Sequence, residues 1–228
     1  NSKKKNNLIF SYNENYKVLR GKYISNYWNN ILDIKKFEIV NIPTGIEKEY
    51  ENKKNNEVKF IDNNLKFFTF CKIVFFWLKL QIKNLIFFCK KNYLSDKDEM
   101  WKLLKDDWFN SFCSVESFKN LYYFFLIKNQ IEFNKHYKRC LFLFENQPWE
   151  RAACFFWNKY HSHKHLHGIC HTPLRYWDLR YFNLKDDFKK KIRPQNIILN
   201  GKHSYKIFLP EYNGQKKTLL EALRYKKL

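Results

Sequence analysis

Only five Gly and five Pro occur among 228 residues, and this scarcity narrows the folds open to the chain more than any other feature. Gly supplies left-handed backbone and Pro pre-sets turn geometry, so tight hairpins, the turn-rich connections of an all-β fold and phosphate-cradling loops find little material here. A hydrophobic content of 45% is nevertheless enough to bury a core. The expectation is a mainly α fold.

Charge is the second constraint. The sequence sets 43 Lys and Arg against 22 Asp and Glu, a formal net charge of +21, while 20% of it is Phe, Trp or Tyr. A polyanion would relieve that self-repulsion and neighbouring proteins would cover the rings, which points to a subunit of a nucleic-acid-bound assembly. Lys outnumbers Arg about five to one beside abundant Asn, Ile and Phe. An AT-rich genome favours all four, and this discounts the raw charge. The six cysteines form no CxxC pair, as expected of free buried thiols in a reducing compartment.

Hydrophobic periodicity divides the chain into an extended N-terminal arm over 1–64, a helical core over 65–163 and a basic C-terminal extension over 164–228. Periodicity is poor before Asn64, and the polar run Glu47 to Asn56 reads as a linker. From Leu65 to Lys90 the chain is almost wholly apolar. At about 100° per residue, Lys72, Lys79, Lys83 and Lys90 fall within roughly 40° of one another on a helix, a narrow stripe suited to phosphates. No stretch approaches 18 uncharged residues, so membrane contact is not expected.

Ser95-Asp96-Lys97-Asp98 resembles a capping box before a short helix through Met100, Leu103, Leu104 and Trp108. Ser114 is a good N-cap for a long helix running to about Phe144. Asn146-Gln147-Pro148 then breaks the chain, and Glu150 opens a second helix through Ala153, Phe156 and Trp157 to about Tyr160. Two helices so closely joined should pack as a long antiparallel helical hairpin over 114–160.

Within that segment, Ser114-Val115-Glu116-Ser117-Phe118-Lys119-Asn120-Leu121-Tyr122-Tyr123-Phe124-Phe125-Leu126 resembles the signature of large-subunit ribosomal protein family twenty-nine. The likeness is greatest to its mitochondrial form, number forty-seven, as encoded by an AT-rich protist. Ser114, Glu116, Leu121, Tyr123 and Leu126 fit the family pattern as they stand, and Cys113, Ser117 and Lys119 depart from it. The resemblance implies a helical hairpin in the mitochondrial matrix, a structural constituent of the ribosome's large subunit that binds ribosomal RNA and other ribosomal proteins without catalysis, cofactor or small-molecule substrate.

Residues His161 to Leu228 hold 15 Lys and Arg against 5 Asp and Glu, hence +10. Arg175 and Arg180 interleave with Tyr176, Trp177 and Tyr181, which suits phosphate contact with base stacking. Lys189, Lys190, Lys191 and Arg193 form the strongest local phosphate anchor. Asn200-Gly201 between two apolar runs is a hairpin signal, so a small β-hairpin is expected in the tail. His161, His163, His165, His167, Cys170 and His171 crowd one segment, but Lys164 adds like charge beside any metal and the cluster reads as a polar loop, not a metal site. No GxSxG, HExxH or Gly-rich phosphate loop is present, which argues against an enzyme. The alternative from another class is a helical membrane-associated or protein-interaction subunit that docks through Leu65 to Lys90.

Overall fold

The structure, a computed structural model, describes residues 5–12, 16–25, 27–43, 58–94, 99–170, 172, 174, 192–208 and 215–220. The chain forms two compact units, Asn1–Asn63 with Ile127–Leu228, and Asn64–Leu126. In order, the first unit holds β1 (Asn7–Tyr12), β2 (Lys17–Leu19), β3 (Lys22–Ser25), β4 (Asn29–Asp33), β5 (Phe37–Ile42) and β6 (Val58–Phe60). After the second unit come β7 (Arg139–Leu143), α4 (Pro148–Tyr160), β8 (His165–Ile169), β9 (Asn196–Asn200), α5 (Gly201–Ile207) and β10 (Lys216–Leu220). The second unit is built from α1 (Phe67–Leu94), α2 (Glu99–Phe112) and the first turns of α3 (Val115–Glu132).

A seven-stranded sheet in the order β10-β9-β8-β7-β1-β5-β6 organises the first unit. Every pairing in it is parallel. β1 lies inside this sheet, with β5 and β6 added on one side and β7 to β10 on the other, so the direction of strand addition reverses between β1 and β7. That is a doubly wound α/β arrangement with a topological switch point. The mainly α expectation is therefore overturned. Parallel strands are joined by crossovers and need no tight turns, so few Gly and Pro exclude hairpins without excluding this sheet.

The expected N-terminal arm instead supplies the sheet's interior. Leu8, Ile9 and Phe10 of β1 are fully buried, as are Ile39 and Val40 of β5. Strands covered on both faces read as continuous apolar runs, not as alternation, and this is why residues 1–64 show no period. Each such side chain contributes about 1.5–3 kcal/mol by burial. A separate three-stranded antiparallel sheet, β2-β3-β4, lies between β1 and β5 in sequence. Its first turn is Arg20-Gly21, with φ of 50° and 74°, the double left-handed geometry of a two-residue hairpin.

The expected helical hairpin over 114–160 is likewise replaced. α3 stops at Glu132, where the Asn134 side chain donates to the Gln130 carbonyl at 2.8 Å, and the apolar run Arg139–Leu143 pairs with β1 and β8. Pro148 does open α4, which ends at Tyr160. In the tail, Gly201 (φ 82°) starts α5, a crossover that sets β10 parallel to β9 in place of the expected β-hairpin.

The second unit is held by aromatic packing and one polar knot. Phe88 of α1 packs against Trp101, Trp108 and Phe109 of α2. Trp77 Nε1 and Gln81 Nε2 donate to Ser117 Oγ at 3.0 and 2.9 Å, while Gln81 and Asn84 donate to the Phe112 carbonyl at 3.1 and 3.0 Å. These bonds satisfy a helix-end carbonyl that would otherwise lack a partner. Ser114 caps α3 by accepting from Glu116 N at 3.1 Å. No helix among the described residues is long and apolar enough to cross a membrane.

Candidate ligand site at the carboxyl edge of the sheet

In a doubly wound sheet the strand order opens a crevice at the carboxyl ends of the strands flanking the reversal. Here those are the ends of β1, at Tyr12, and of β7, from Leu143 into the loop 144–147. Glu150 shapes that loop. Lying in the first turn of α4, it turns back so that Glu145 N donates to both carboxyl oxygens at 3.0 and 3.0 Å and Asn146 N donates to Oε2 at 2.7 Å. Asn146 adopts φ 65°, a left-handed conformation that Asn tolerates, and its Oδ1 accepts from Arg151 Nε and Nη2 at 3.3 and 3.1 Å. The helix N-terminus has no side-chain cap at Gln147. Glu150 performs that stapling role from inside the helix.

Glu150 is only 1% exposed. Burial pushes its carboxyl up to about 8; the backbone N–H groups of Glu145, Gln147 and Asn146 oppose this, and the Glu145 carboxylate adds to it. Around neutral pH the Glu150 acid thus holds its proton. Tyr12 stands beside this pair of carboxyls. Its phenol is driven well above the usual range by burial, then by the fields of Glu150 and Glu145, against the lowering effect of the Trp149 side chain. The ring lies 5.8 Å from Trp149 and 5.8 Å from Tyr27. Trp149 in turn meets Phe10 and Phe142, the adjacent strands' own rings, at 6.1 and 6.1 Å. Tyr12 Oη is buried without a hydrogen-bond partner among the described residues. Such a group costs about 1–3 kcal/mol unless something completes it.

The neighbouring residue on β1 serves structure. Ser11 Oγ accepts from Trp28 Nε1 at 2.9 Å and shares a 3.2 Å bond with Tyr23 Oη, which also donates to Asn41 Oδ1 at 3.2 Å. This knot ties the small sheet to β1 and β5. Asn41 Nδ2 stays buried without a partner among the described residues. On the other flank, β8 lies close against the chain entering β9: a Cβ on Gly168 would meet Pro194 Cγ at 2.9 Å and Phe144 Cβ at 3.1 Å.

The residues expected to bind RNA are not gathered in one place. Lys72, Lys79, Lys83 and Lys90 lie on α1 in the second unit. Arg193 is 4% exposed, with its guanidinium 5.5 Å from the Phe144 ring centroid, so it is a buried packing cation and not a free phosphate anchor. Arg175, Arg180, Lys189, Lys190 and Lys191 lie outside the described residues. The His cluster is spread along β8, from His161 and His165 at the amino edge to Cys170 past the carboxyl end, and His171 lies outside the described residues. His161 follows α4 and its Nε2 lies 3.1 Å from the Ile131 carbonyl, whereas His165 and His167 alternate along β8 with rings stacked at 6.0 Å. Among the described residues no three His, Cys, Asp or Glu side chains are arranged to hold a metal ion. Cys140, Cys154 and Cys170 are buried, while Cys71 and Cys89 are exposed on α1.

Sequence reasoning missed Tyr12, Glu145 and Glu150 as a group because a strand, a loop and a helix far apart in the chain supply them. The one legible signal was Glu150 behind Pro148, which reads in the sequence only as a first-turn residue of the second helix. No family model, curated protein or solved structure matches the chain.

Proposed function

We propose that the chain binds a small hydroxyl-bearing ligand, of nucleoside or sugar type, in the crevice between the carboxyl ends of β1 and β7. The observation that carries this reading is the buried Tyr12 Oη at the switch point, which makes no well-formed hydrogen bond within the described residues and has only the Trp149 side chain bearing on it. Convergent polar groups with displaced proton affinities at such a position are the usual mark of a ligand site. Tyr12 supplies a donor, the half-buried Glu145 carboxylate supplies an acceptor for hydroxyls, and the rings of Trp149 and Tyr27 offer apolar walls. The three residues after β1, Asn13-Glu14-Asn15, include no Gly, so hydroxyl recognition is favoured over a backbone cradle for pyrophosphate. Saturation-transfer NMR with nucleosides, nucleoside monophosphates and hexoses tests the reading. Tyr12→Phe should weaken the ligand found by about 2- to 10-fold, the worth of one hydrogen bond. Absence of saturable binding across the panel, or binding indifferent to both Tyr12→Phe and Glu145→Gln, rejects it.

A second reading keeps the role that the ribosomal resemblance implies, a constituent of the mitochondrial large subunit in contact with ribosomal RNA and neighbouring proteins. The net charge of +21 favours it, together with Lys135, Lys138 and Arg139 exposed near His165 at the amino edge of the sheet. Co-sedimentation with ribosomal subunits that ribonuclease abolishes is the expected result. A chain that stays clear of those subunits at low salt, where phosphate contacts are strongest, counts against it.

A further inference from the structure

We propose that α1 lies in the plane of an anionic lipid bilayer, with its apolar stripe in the acyl boundary and its lysine edge at the headgroup phosphates. Three faces of α1 can be told apart. Ile73, Trp77, Gln81, Asn84 and Phe88 share an arc of about 80° at 100° per residue. This side bonds and packs to α2 and α3, and the contact continues beyond the arc through Phe76 on Phe125 and Phe87 on Trp101 and Trp108. Phe67, Phe68, Phe75, Leu78, Ile82 and Ile86 occupy a second arc of about 100°, and all are exposed, Phe68 by 85%, Phe75 by 63% and Ile82 by 61%. Lys72, Lys79, Lys83 and Lys90, also exposed, begin about 20° beyond the apolar arc and span roughly 40°; Lys72 Nζ lies 5.6 Å over the Phe125 ring of α3, so Lys79, Lys83 and Lys90 carry the edge.

A continuous apolar stripe along a helix of 28 residues is far more than the scattered exposed side chains of an ordinary surface. Its flanking charge selects the occupant. α1 contains five Lys and neither Asp nor Glu. An RNA would meet the lysines but leave the apolar stripe in water. A second copy of the chain would cover the stripe but bring no counter-charge to the lysines. The interface of an anionic bilayer accommodates both, since lysine stems reach from an inserted apolar face to phosphates. Because no helix among the described residues is suited to spanning, α1 would lie on the membrane. This inference stands independently of the ligand reading, which concerns the other unit.

The full chain is sedimented with vesicles of phosphatidylcholine alone and with vesicles equimolar in phosphatidylglycerol. Binding to the second and not the first is expected. Lys79→Gln with Lys83→Gln should weaken it about 25-fold, taking about fivefold for each lysine. Phe75→Ser with Ile82→Ser should weaken it at least about tenfold. Cys71 and Cys89 are exposed on the apolar side, so a polarity-sensitive dye on either, in a Cys113→Ser chain, should shift to the blue with anionic vesicles. Equal binding to both vesicles, no dye shift, or lysine variants that bind like wild type overturn the proposal. So does a dimer that dissociates on Phe75→Ser with Ile82→Ser, or an RNA complex lost with the lysines while vesicles do nothing.

Discussion

Replacing Glu150 tests the construction of the carboxyl edge most directly. Glu150→Ala removes the acceptor for Glu145 N and Asn146 N. Each buried N–H left unpaired costs about 1–3 kcal/mol. Water reaches the half-buried Glu145 side of the loop, so the lower part of the range applies there, and the total is about 2–5 kcal/mol. Glu150→Gln keeps one acceptor but turns an amide N–H toward a backbone N–H, and should fall between wild type and Ala. Urea unfolding followed by Trp fluorescence reads both variants as a lowered midpoint. An Ala variant within about 0.5 kcal/mol of wild type would refute the staple.

The same carboxyl predicts a pH dependence of definite sign. Its native value is about 8 against an ordinary 4.5, so between those values the folded chain holds a proton that the unfolded chain has released. Stability from this group is complete at the acid end and is lost as pH rises, by about 1.4 kcal/mol per pH unit across the window. Glu150→Gln cannot titrate. The stability of wild type relative to Glu150→Gln should therefore fall steadily, and can change sign, from about pH 5 to about pH 8. A difference that is constant, or that grows with pH, would show that the three N–H contacts outweigh burial and that the carboxylate is charged.

Two further outcomes follow from packing and titration. Gly168→Ala places a methyl against Pro194 and Phe144 at 2.9 and 3.1 Å and should cost about 1–3 kcal/mol, seen as a lowered unfolding midpoint. His161, in contact with the Ile131 carbonyl, has its pKa lowered from 6.5, first by burial and then by Lys164 and His136. The unfolded chain takes up its proton first, so stability from this ring is present above pH 6.5 and is lost as pH falls through the lower native value. NMR titration of the ring protons should find its midpoint below 6.5.

What the sequence disclosed divides along physical lines. Local signals were legible: Pro148 opening α4, Ser114 capping α3, and α1 from an apolar run with a lysine stripe. Each depends on a few adjacent residues. The sheet was not legible, because β1, β5 and β7 are buried on both faces and carry no alternation to distinguish them from buried helix. Arg139–Leu143 was absorbed into a helix for that reason, and the break at Asn134 went unread. Asn200-Gly201 misled in the opposite way: the Gly does take positive φ, but to leave a strand for a helix and not to reverse into a hairpin. Tyr12 and Glu150 meet only once β1 and β7 pair, a contact that no local pattern encodes.

The parallel sheet also gives a new meaning to the scarcity of Gly and Pro. In an antiparallel fold each reversal requires turn residues, whereas here the one tight two-residue hairpin among the described residues, Arg20-Gly21, sits in the small sheet. The parallel strands are spaced by crossovers, such as α4 and α5, whose ends are satisfied by side chains and backbone. At β7–α4 this burden falls on Glu150. A Gly-poor loop places a buried carboxyl where a glycine-rich turn would otherwise leave bare backbone N–H groups for a phosphate. Glu150 takes the N–H groups of Glu145 and Asn146 in the loop before α4. Tyr12 Oη, buried at the end of β1, is the polar group beside that loop on which the proposed ligand reading turns.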